Sequence, residues 1–145
     1  TMLATGIGEN LSPLPALPPC YIVICKPSVS VSTQEAYQKA DNCIILHRPD
    51  TQILCNALKE QNLSAVSQNM KNVFQEAMAL EDVHIITELM IQNNALGACM
   101  SGSGSAVFGI FETEQKALFC SNILKQTFHH VFICKPTKHG VESQS

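Results

Sequence analysis

Four continuous runs of apolar residues divide the chain and predict four buried strands. The runs cover residues 20–26, 95–100, 105–111 and 129–134. Short apolar runs bounded by turn residues are typical of strands that are buried in a core. The first and last runs both end in Cys-Lys-Pro. Because proline has no N–H to donate to a sheet, we expect both strands to end there.

Apolar residues at helical spacing predict helices between these strands. Ser32 and Glu35 form a capping-box pattern that begins a short helix ending near Lys39. Asp50 and Thr113 are candidate N-caps of two others, because their side-chain oxygens can accept from free amides of a first turn. The predicted helices cover residues 32–39, a segment that begins at Asp50, residues 64–78, residues 83–92 and residues 113–126.

The order of these elements predicts an α+β fold. Strand, helices, strand, strand, helix, strand is the order of a ferredoxin-like, split β-α-β domain. We expect a four-stranded antiparallel sheet with helices on one face and extra helices in the first crossover. The domain covers residues 20–136. Residues 1–19 are rich in Gly and Pro and form an irregular or edge segment at a domain junction, and residues 137–145 form a polar, frayed tail.

Composition and charge narrow the classes of function. The chain has 145 residues, enough for one domain, with 46% hydrophobic and 14% charged residues. Its formal net charge is −3 and it has no block of Lys or Arg, so we expect no nucleic-acid partner. It has no apolar run of about 18 residues and no signal-peptide pattern, so we expect no membrane partner.

The seven cysteines indicate a cytoplasmic protein. Their number is odd, no C-x-x-C motif occurs, and most lie within apolar runs. Cysteines of this kind are typically reduced thiols that act as small hydrophobic residues. We therefore expect buried thiols, no disulfide and no metal site. The seven are Cys20, Cys25, Cys43, Cys55, Cys99, Cys120 and Cys134.

A Ser/Gly loop, Ser101 to Ser105, lies between the second and third predicted strands. Gly102 and Gly104 can adopt positive φ and allow a ligand to approach the backbone. Ser101, Ser103 and Ser105 add hydroxyls, and successive amides can form an anion-binding concavity. The alternative is a plain glycine-rich turn between two strands. The loop is neither a dinucleotide-binding nor a P-loop motif, since a strand follows it and no Gly-Lys-Ser/Thr occurs.

Three segments carry a resemblance to a known family. Met100–Ser105, followed by Val107-Phe-Gly109, resembles the third, C-terminal motif of the GHMP kinases. Residues 4–15 and the segment Lys26–Thr33 with Tyr37 resemble the corresponding segments of the GHMP kinase that acts on a cytidine diphosphate-linked substrate. The resemblance implies the same ferredoxin-like C-terminal domain. It also implies ATP and Mg²⁺ as cofactors of the parent enzyme, though none bound by this part alone.

The resemblance implies a substrate-binding role for this chain. The parent enzyme would phosphorylate the 2-hydroxyl group of 4-diphosphocytidyl-2-C-methyl-D-erythritol in the non-mevalonate isoprenoid pathway. Tyr37 matches the aromatic residue that stacks on the cytosine ring, and Thr33 lies at the first turn of its helix. The loop residues, Ser101 to Ser105, would face the substrate and the nucleotide phosphates. The alternatives are that Tyr37 packs on the core and that Thr33 belongs to a helix cap.

No catalytic residue is assigned in this sequence. The family's glycine-rich phosphate motif, its catalytic Asp and its catalytic Lys belong to an N-terminal ATP-binding domain, and no segment here matches them. We therefore expect a fragment that is inactive alone. Its exposed site surface, near residues 32–37 and 101–105, would meet the missing domain or associate with another copy. The alternative function is a stand-alone ferredoxin-like regulatory module that binds a small metabolite.

Overall fold

The computed structural model describes residues 1–137 of the chain. A two-stranded hairpin precedes a domain of four strands and six helices. In chain order the elements are β1 (Met2–Thr5), β2 (Asn10–Pro13), β3 (Tyr21–Lys26), α1 (Thr33–Asn42), α2 (Thr51–Lys59), α3 (Leu63–Gln68), α4 (Val73–Met78), α5 (Glu81–Gln92), β4 (Gly97–Met100), β5 (Val107–Phe111), α6 (Glu114–Leu124) and β6 (His130–Cys134).

The four predicted strands form one antiparallel sheet in the order β4-β5-β3-β6. In the centre, Val23 of β3 lies opposite Gly109 of β5 on one side and Ile133 of β6 on the other. β4 pairs with the outer side of β5. The predicted fold class, a split β-α-β sheet with extra helices in the first crossover, is confirmed.

The main core lies between one face of this sheet and helices α5 and α6. Val23, Cys25 and Val107 point from the strands into this core and are completely buried. Full burial of one such side chain stabilises the fold by roughly 1.5–3 kcal/mol. Other buried residues join them from the helices and from β5, and they include Val83, Ile86, Met90, Phe111, Ala117, Cys120 and Leu124.

Helix α3 reaches the opposite face of the sheet. A Cβ atom on Gly97 of β4 would overlap the carbonyl oxygen of Ser67 in α3, so only glycine allows this close approach. A second, smaller core of Ala57, Leu58 and Val66 lies beneath α2 and α3. The hydrophobic pattern alone did not predict this layer.

The predicted helix over residues 64–78 is wrong, because the structure has two short helices there. Asn69 ends α3, and its side chain donates to the carbonyl of Ala65 at 2.8 Å. Asn72 begins α4, and its side-chain oxygen accepts from the amide of Phe74 at 2.9 Å. Asparagine side chains compete with the helical backbone for hydrogen bonds in this way.

Helix α1 begins where the sequence predicts, but without the predicted capping box. Ser32 is the N-cap residue, yet its hydroxyl makes no capping hydrogen bond. The helix also continues past Lys39 to Asn42, whose side chain donates to Gln38 O at 2.7 Å. The predicted caps at Asp50 and Thr113 are confirmed, since each side chain accepts from an amide of its helix.

The segment 1–19 contains a small hairpin apart from the main sheet. Strands β1 and β2 pair with each other, and Gly6 and Gly8 adopt φ of 70° and 104° in the turn. The assignment of this segment as a domain junction remains a prediction. The predicted tail lies outside the described residues except for Thr137. Over residues 1–137, no helix is long and apolar enough to cross a membrane.

All seven cysteines are free thiols in the structure, and five of them are buried. Burial raises the pKa of Cys25 to about 12 and that of Cys120 to about 11. The expectation of burial is wrong for Cys43, in the segment after α1, and for Cys134. Cys134 lies on β6, which is an edge strand with one unpaired side, so an apolar run did not guarantee burial.

Candidate functional site

The Ser/Gly loop forms a compact turn between β4 and β5. The amide of Ser101 donates to Ala106 O at 2.8 Å, and the amide of Gly104 donates to Ser101 O at 3.1 Å. Gly102 and Gly104 adopt φ of 55° and 101°. The prediction that both glycines have positive φ is therefore confirmed.

The two glycines have different surroundings. Gly102 is exposed, and nothing lies within 4 Å of the position that its Cβ would occupy. A Cβ on Gly104 would lie 2.8 Å from the sulfur of Met100. Gly102 thus leaves the backbone open to a ligand, whereas Gly104 also makes room for a core side chain.

Ser105 lies beneath the loop and not on its surface. The residue is completely buried, and its hydroxyl donates to the carbonyl oxygen of Val29. The ammonium of Lys26 donates to the same carbonyl and to Pro27 O, each at 2.9 Å. The side chain of Ser105 therefore anchors the loop to the segment before α1, while Ser101 remains exposed.

The structure brings the first turn of α1 to this loop. The hydroxyls of Thr33 and Ser103, 70 residues apart in sequence, lie 3.1 Å from each other. Tyr37 follows one turn later, and 56% of its surface is exposed. Its ring meets Phe74 edge to face, with 4.8 Å between centroids. The exposed ring disfavours the alternative that Tyr37 is a core residue.

Helix α4 contributes residues that the sequence analysis missed. The side-chain nitrogen of Asn72 donates to Met100 O and to Gly102 O, both at 2.8 Å. The side-chain oxygen of Gln75 accepts from the amide of Met100 at 2.7 Å. The signal available in the sequence was the pair of asparagines at 69 and 72, which breaks the helical pattern.

One open groove adjoins the loop, and a second groove shares with it the exposed cation Lys71. The groove beside the loop has a volume of about 460 Å³ and is lined by Leu54, Phe74, Ser101, Gly102 and Phe108, among others. The second groove, of about 560 Å³, runs along α4 and contains His47, Glu76 and His84. Across residues 1–137, no three His, Cys, Asp or Glu residues form a group that could hold a metal ion.

Glu76 binds a neighbouring segment in the second groove. Its carboxylate accepts from the amides of Leu46 and His47, at 2.6 and 3.1 Å. The hydrogen bond from Leu46 is the largest cause that holds the pKa of Glu76 below its ordinary value. An ionised Glu76 therefore fixes the segment 46–47 against α4.

The chain is similar along most of its length to curated enzymes named 4-diphosphocytidyl-2-C-methyl-D-erythritol kinase. It is 38% identical over 143 residues to the enzyme from Clostridioides difficile, covering 97% of this chain and 48% of that enzyme. It is 41% identical over 129 residues to the enzyme from Lachnospira eligens, covering 87% and 44% respectively. The chain thus spans about half the length of the curated relatives it matches.

Solved structures share the fold at lower identity. A crystal structure of 4-(cytidine 5'-diphospho)-2C-methyl-D-erythritol kinase matches with a TM-score of 0.70 and 24% identity, covering 92% of this chain and 48% of that one. Homoserine kinase from Cytophaga hutchinsonii matches with a TM-score of 0.76 and 19% identity, covering 94% and 47%. These two likenesses show the fold alone.

A family model, described as GHMP kinases C terminal, matches residues 56–130. The match covers more than half of the chain and includes α4, the Ser/Gly loop and both strands that flank it. The chain therefore belongs to the GHMP kinases, of which it carries the C-terminal domain.

Proposed function

We propose that this chain is the substrate-binding half of a kinase that phosphorylates the 2-hydroxyl group of 4-diphosphocytidyl-2-C-methyl-D-erythritol. The observation that carries the proposal is the contact between Thr33 and Ser103, which unites α1 and the Ser/Gly loop in one exposed site. The chain is 38% identical to one curated kinase of that name, and the match covers 97% of the chain. This similarity supports the kinase over a stand-alone regulatory module.

In this proposal Tyr37 stacks on the cytosine ring. A base that stacks on an aromatic side chain gains about 1–3 kcal/mol. The Tyr37 ring packs against Phe74, which limits the rotation of the ring, and 56% of the Tyr37 surface is exposed for the base. A preset ring loses less conformational freedom when the substrate binds.

The Ser/Gly loop would hold phosphate groups. The open space at Gly102 fits a phosphate close to the backbone, and Ser101 and Ser103 offer hydroxyl donors beside it. Mg²⁺ bound with ATP would neutralise charge on the phosphates. Phosphoryl transfer depends mainly on positioning and electrostatic stabilisation. The residues of this chain would therefore bind and orient the acceptor, with Lys71 as a nearby cation.

The catalytic groups and the ATP-binding domain would come from the other half of the enzyme. We assign no general base to the chain and expect it to show no kinase activity alone. The reduced cysteines favour a cytoplasmic enzyme.

The proposal is tested by titrating the isotopically labelled 145-residue chain with cytidine diphosphate and following its amide resonances by NMR. Cytidine alone should shift residues around Tyr37, pyrophosphate alone should shift Gly102 and Ser103, and cytidine diphosphate should shift both groups. Binding should be weak, because half of the site is absent. Shifts centred elsewhere, for example on β6, would contradict the assignment.

A further inference from the structure

Helix α4 contacts both parts of the proposed substrate site. Phe74 of α4 meets the ring of Tyr37, and α1 and α4 pack against each other. Asn72, the N-cap residue of α4, reaches the Ser/Gly loop instead. One short helix therefore connects the aromatic part of the site with its loop.

Asn72 uses every polar function of its side chain. Its NH₂ group donates to Met100 O and Gly102 O, one bond on each side of Ser101. Its oxygen accepts from the amide of Phe74. A carboxamide, with two donors and an acceptor, can make all three bonds at once, whereas a carboxylate or a hydroxyl group cannot.

The loop needs such support because its backbone is intrinsically free. Gly102 is exposed, and its Cβ position has no neighbour within 4 Å. Glycine loses more conformational freedom on ordering than any other residue. The bond to Gly102 O therefore holds the part of the loop that side-chain packing does not restrain, and the bond to Met100 O ties the end of β4 to the start of α4. Gln75 adds a third bond, to the amide of Met100.

We propose that Asn72 is a positioning residue that holds the Ser/Gly loop in its ligand-binding conformation. That the loop binds a phosphate ligand rests on the proposed function, whereas the effect of Asn72 on the loop does not. Asn72 itself touches no substrate atom in this account. It acts through the carbonyls of Met100 and Gly102. The orientation of these two carbonyls sets the orientation of the neighbouring amides and hydroxyl groups of the loop.

The substitution Asn72→Asp separates the two roles of the side chain. Aspartate keeps an oxygen that can accept from Phe74 N and is a good N-cap, so α4 should remain intact. It loses both donors and places a charge against two carbonyls. Asn72→Ser also retains a cap oxygen and adds no charge, but its shorter side chain has one O–H donor in place of the NH₂ group that makes two bonds. Loosening of the loop in both variants identifies the loss of this NH₂ group as the cause.

Asn62→Asp is the matched control. Asn62 is the N-cap of α3, and its oxygen accepts from Ala65 N at 3.0 Å, as Asn72 accepts from Phe74. Within residues 1–137, no hydrogen bond joins Asn62 to the loop. The same chemical change is thus made at a similar cap outside the site.

The deciding measurement is amide hydrogen exchange at Ser101 and Gly104, whose N–H groups are bonded within the loop. Exchange should become about tenfold faster in Asn72→Asp and in Asn72→Ser, and should remain at the wild-type rate in Asn62→Asp. Asn72→Asp and Asn62→Asp should both remain folded, and the thermal midpoint of Asn72→Asp should be the lower of the two, because only that variant loses two hydrogen bonds. Wild-type exchange rates in the Asn72 variants, or equal loosening in the control, would overturn the proposal.

Titration with pyrophosphate distinguishes this inference from the proposed function. The two proposals together predict that the shifts at Gly102 and Ser103 weaken in the Asn72 variants and remain in Asn62→Asp. A loosened loop with undiminished pyrophosphate binding would leave the positioning role standing and would contradict the phosphate site.

Discussion

Tyr37 exposes 56% of its surface, and its ring packs against Phe74. In the complete enzyme, Tyr37→Ala should raise the KM for the cytidyl substrate by about 5- to 150-fold, the equivalent of roughly 1–3 kcal/mol of stacking. The KM for ATP should change much less. Tyr37→Phe should be mild, because it keeps the ring.

Phe119→Ala is the control for Tyr37→Ala, because Phe119 is an aromatic residue of α6 with a similar exposure of 57%. Its removal should leave both KM values unchanged. Steady-state kinetics with each substrate varied in turn make the comparison. Equal effects of Tyr37→Ala on both substrates would show that Tyr37 has a structural role only.

Gly102 and Gly104 should respond differently to alanine. At Gly102 the methyl group meets no atom, so Gly102→Ala should cost only about 1–2 kcal/mol for its left-handed backbone. It should nevertheless weaken pyrophosphate binding, because the methyl group occupies the approach to the backbone.

Gly104→Ala should destabilise the fold more, since its methyl group would meet Met100. Denaturant unfolding and NMR titration test the two effects. If folded Gly102→Ala binds pyrophosphate as tightly as the wild type, phosphate does not approach the backbone through the open space at Gly102.

The three serines of the loop show what residue-level pattern cannot predict. Ser101, Ser103 and Ser105 are equivalent in the sequence, but only Ser105 is buried and bonded to Val29. The alternation of Ser and Gly predicted a turn and its positive φ values. It carried no information on which hydroxyl would meet a distant segment, because that depends on how the chain folds.

At the scale of elements, Glu76 makes the attachment of the segment 46–47 to α4 depend on pH. The folded-state pKa of Glu76 lies below its unfolded value. Its contribution is therefore complete above the unfolded pKa, about 4.3, and is lost as pH falls through the folded pKa. Glu76→Ala should lower stability at neutral pH, and the difference from wild type should shrink on acidification.

Glu88→Ala is the control, since Glu88 is an exposed residue of α5 that pairs with His84. Chemical denaturation at neutral and acidic pH gives the comparison. A destabilisation by Glu76→Ala that stays constant down to low pH would show that the carboxylate charge is not responsible.

Hydrophobic pattern predicted some elements well and failed for α3 and α4. It predicted α5 because apolar residues recur there at helical spacing from Val83 to Met90. It joined α3 to α4 because the apolar spacing continues across the gap. The caps at Asn69 and Asn72 depend on side-chain hydrogen bonds that periodicity does not contain.

At the scale of the molecule, the four apolar runs and their order sufficed to predict the antiparallel sheet. The crossing of α3 over Gly97 could not be predicted, because it depends on the absence of one Cβ atom between distant elements. Part of the candidate site was proposed from the sequence. Resemblance indicated Thr33, Tyr37 and the loop, whereas Asn72 and Phe74 became evident only from tertiary contacts.

We propose that this chain supplies the substrate-binding half of the kinase. The most direct measurement replaces the C-terminal half of the Clostridioides difficile relative with this chain and assays phosphorylation of 4-diphosphocytidyl-2-C-methyl-D-erythritol with ATP and Mg²⁺. A matched chimera carries the C-terminal half of the homoserine kinase, which has the same fold at 19% identity. We expect kinase activity from the chimera that carries this chain, little activity from the homoserine kinase chimera and none from the 145-residue chain alone. A folded chimera no more active than the matched control, or phosphoryl transfer by the purified chain alone, would contradict this proposal.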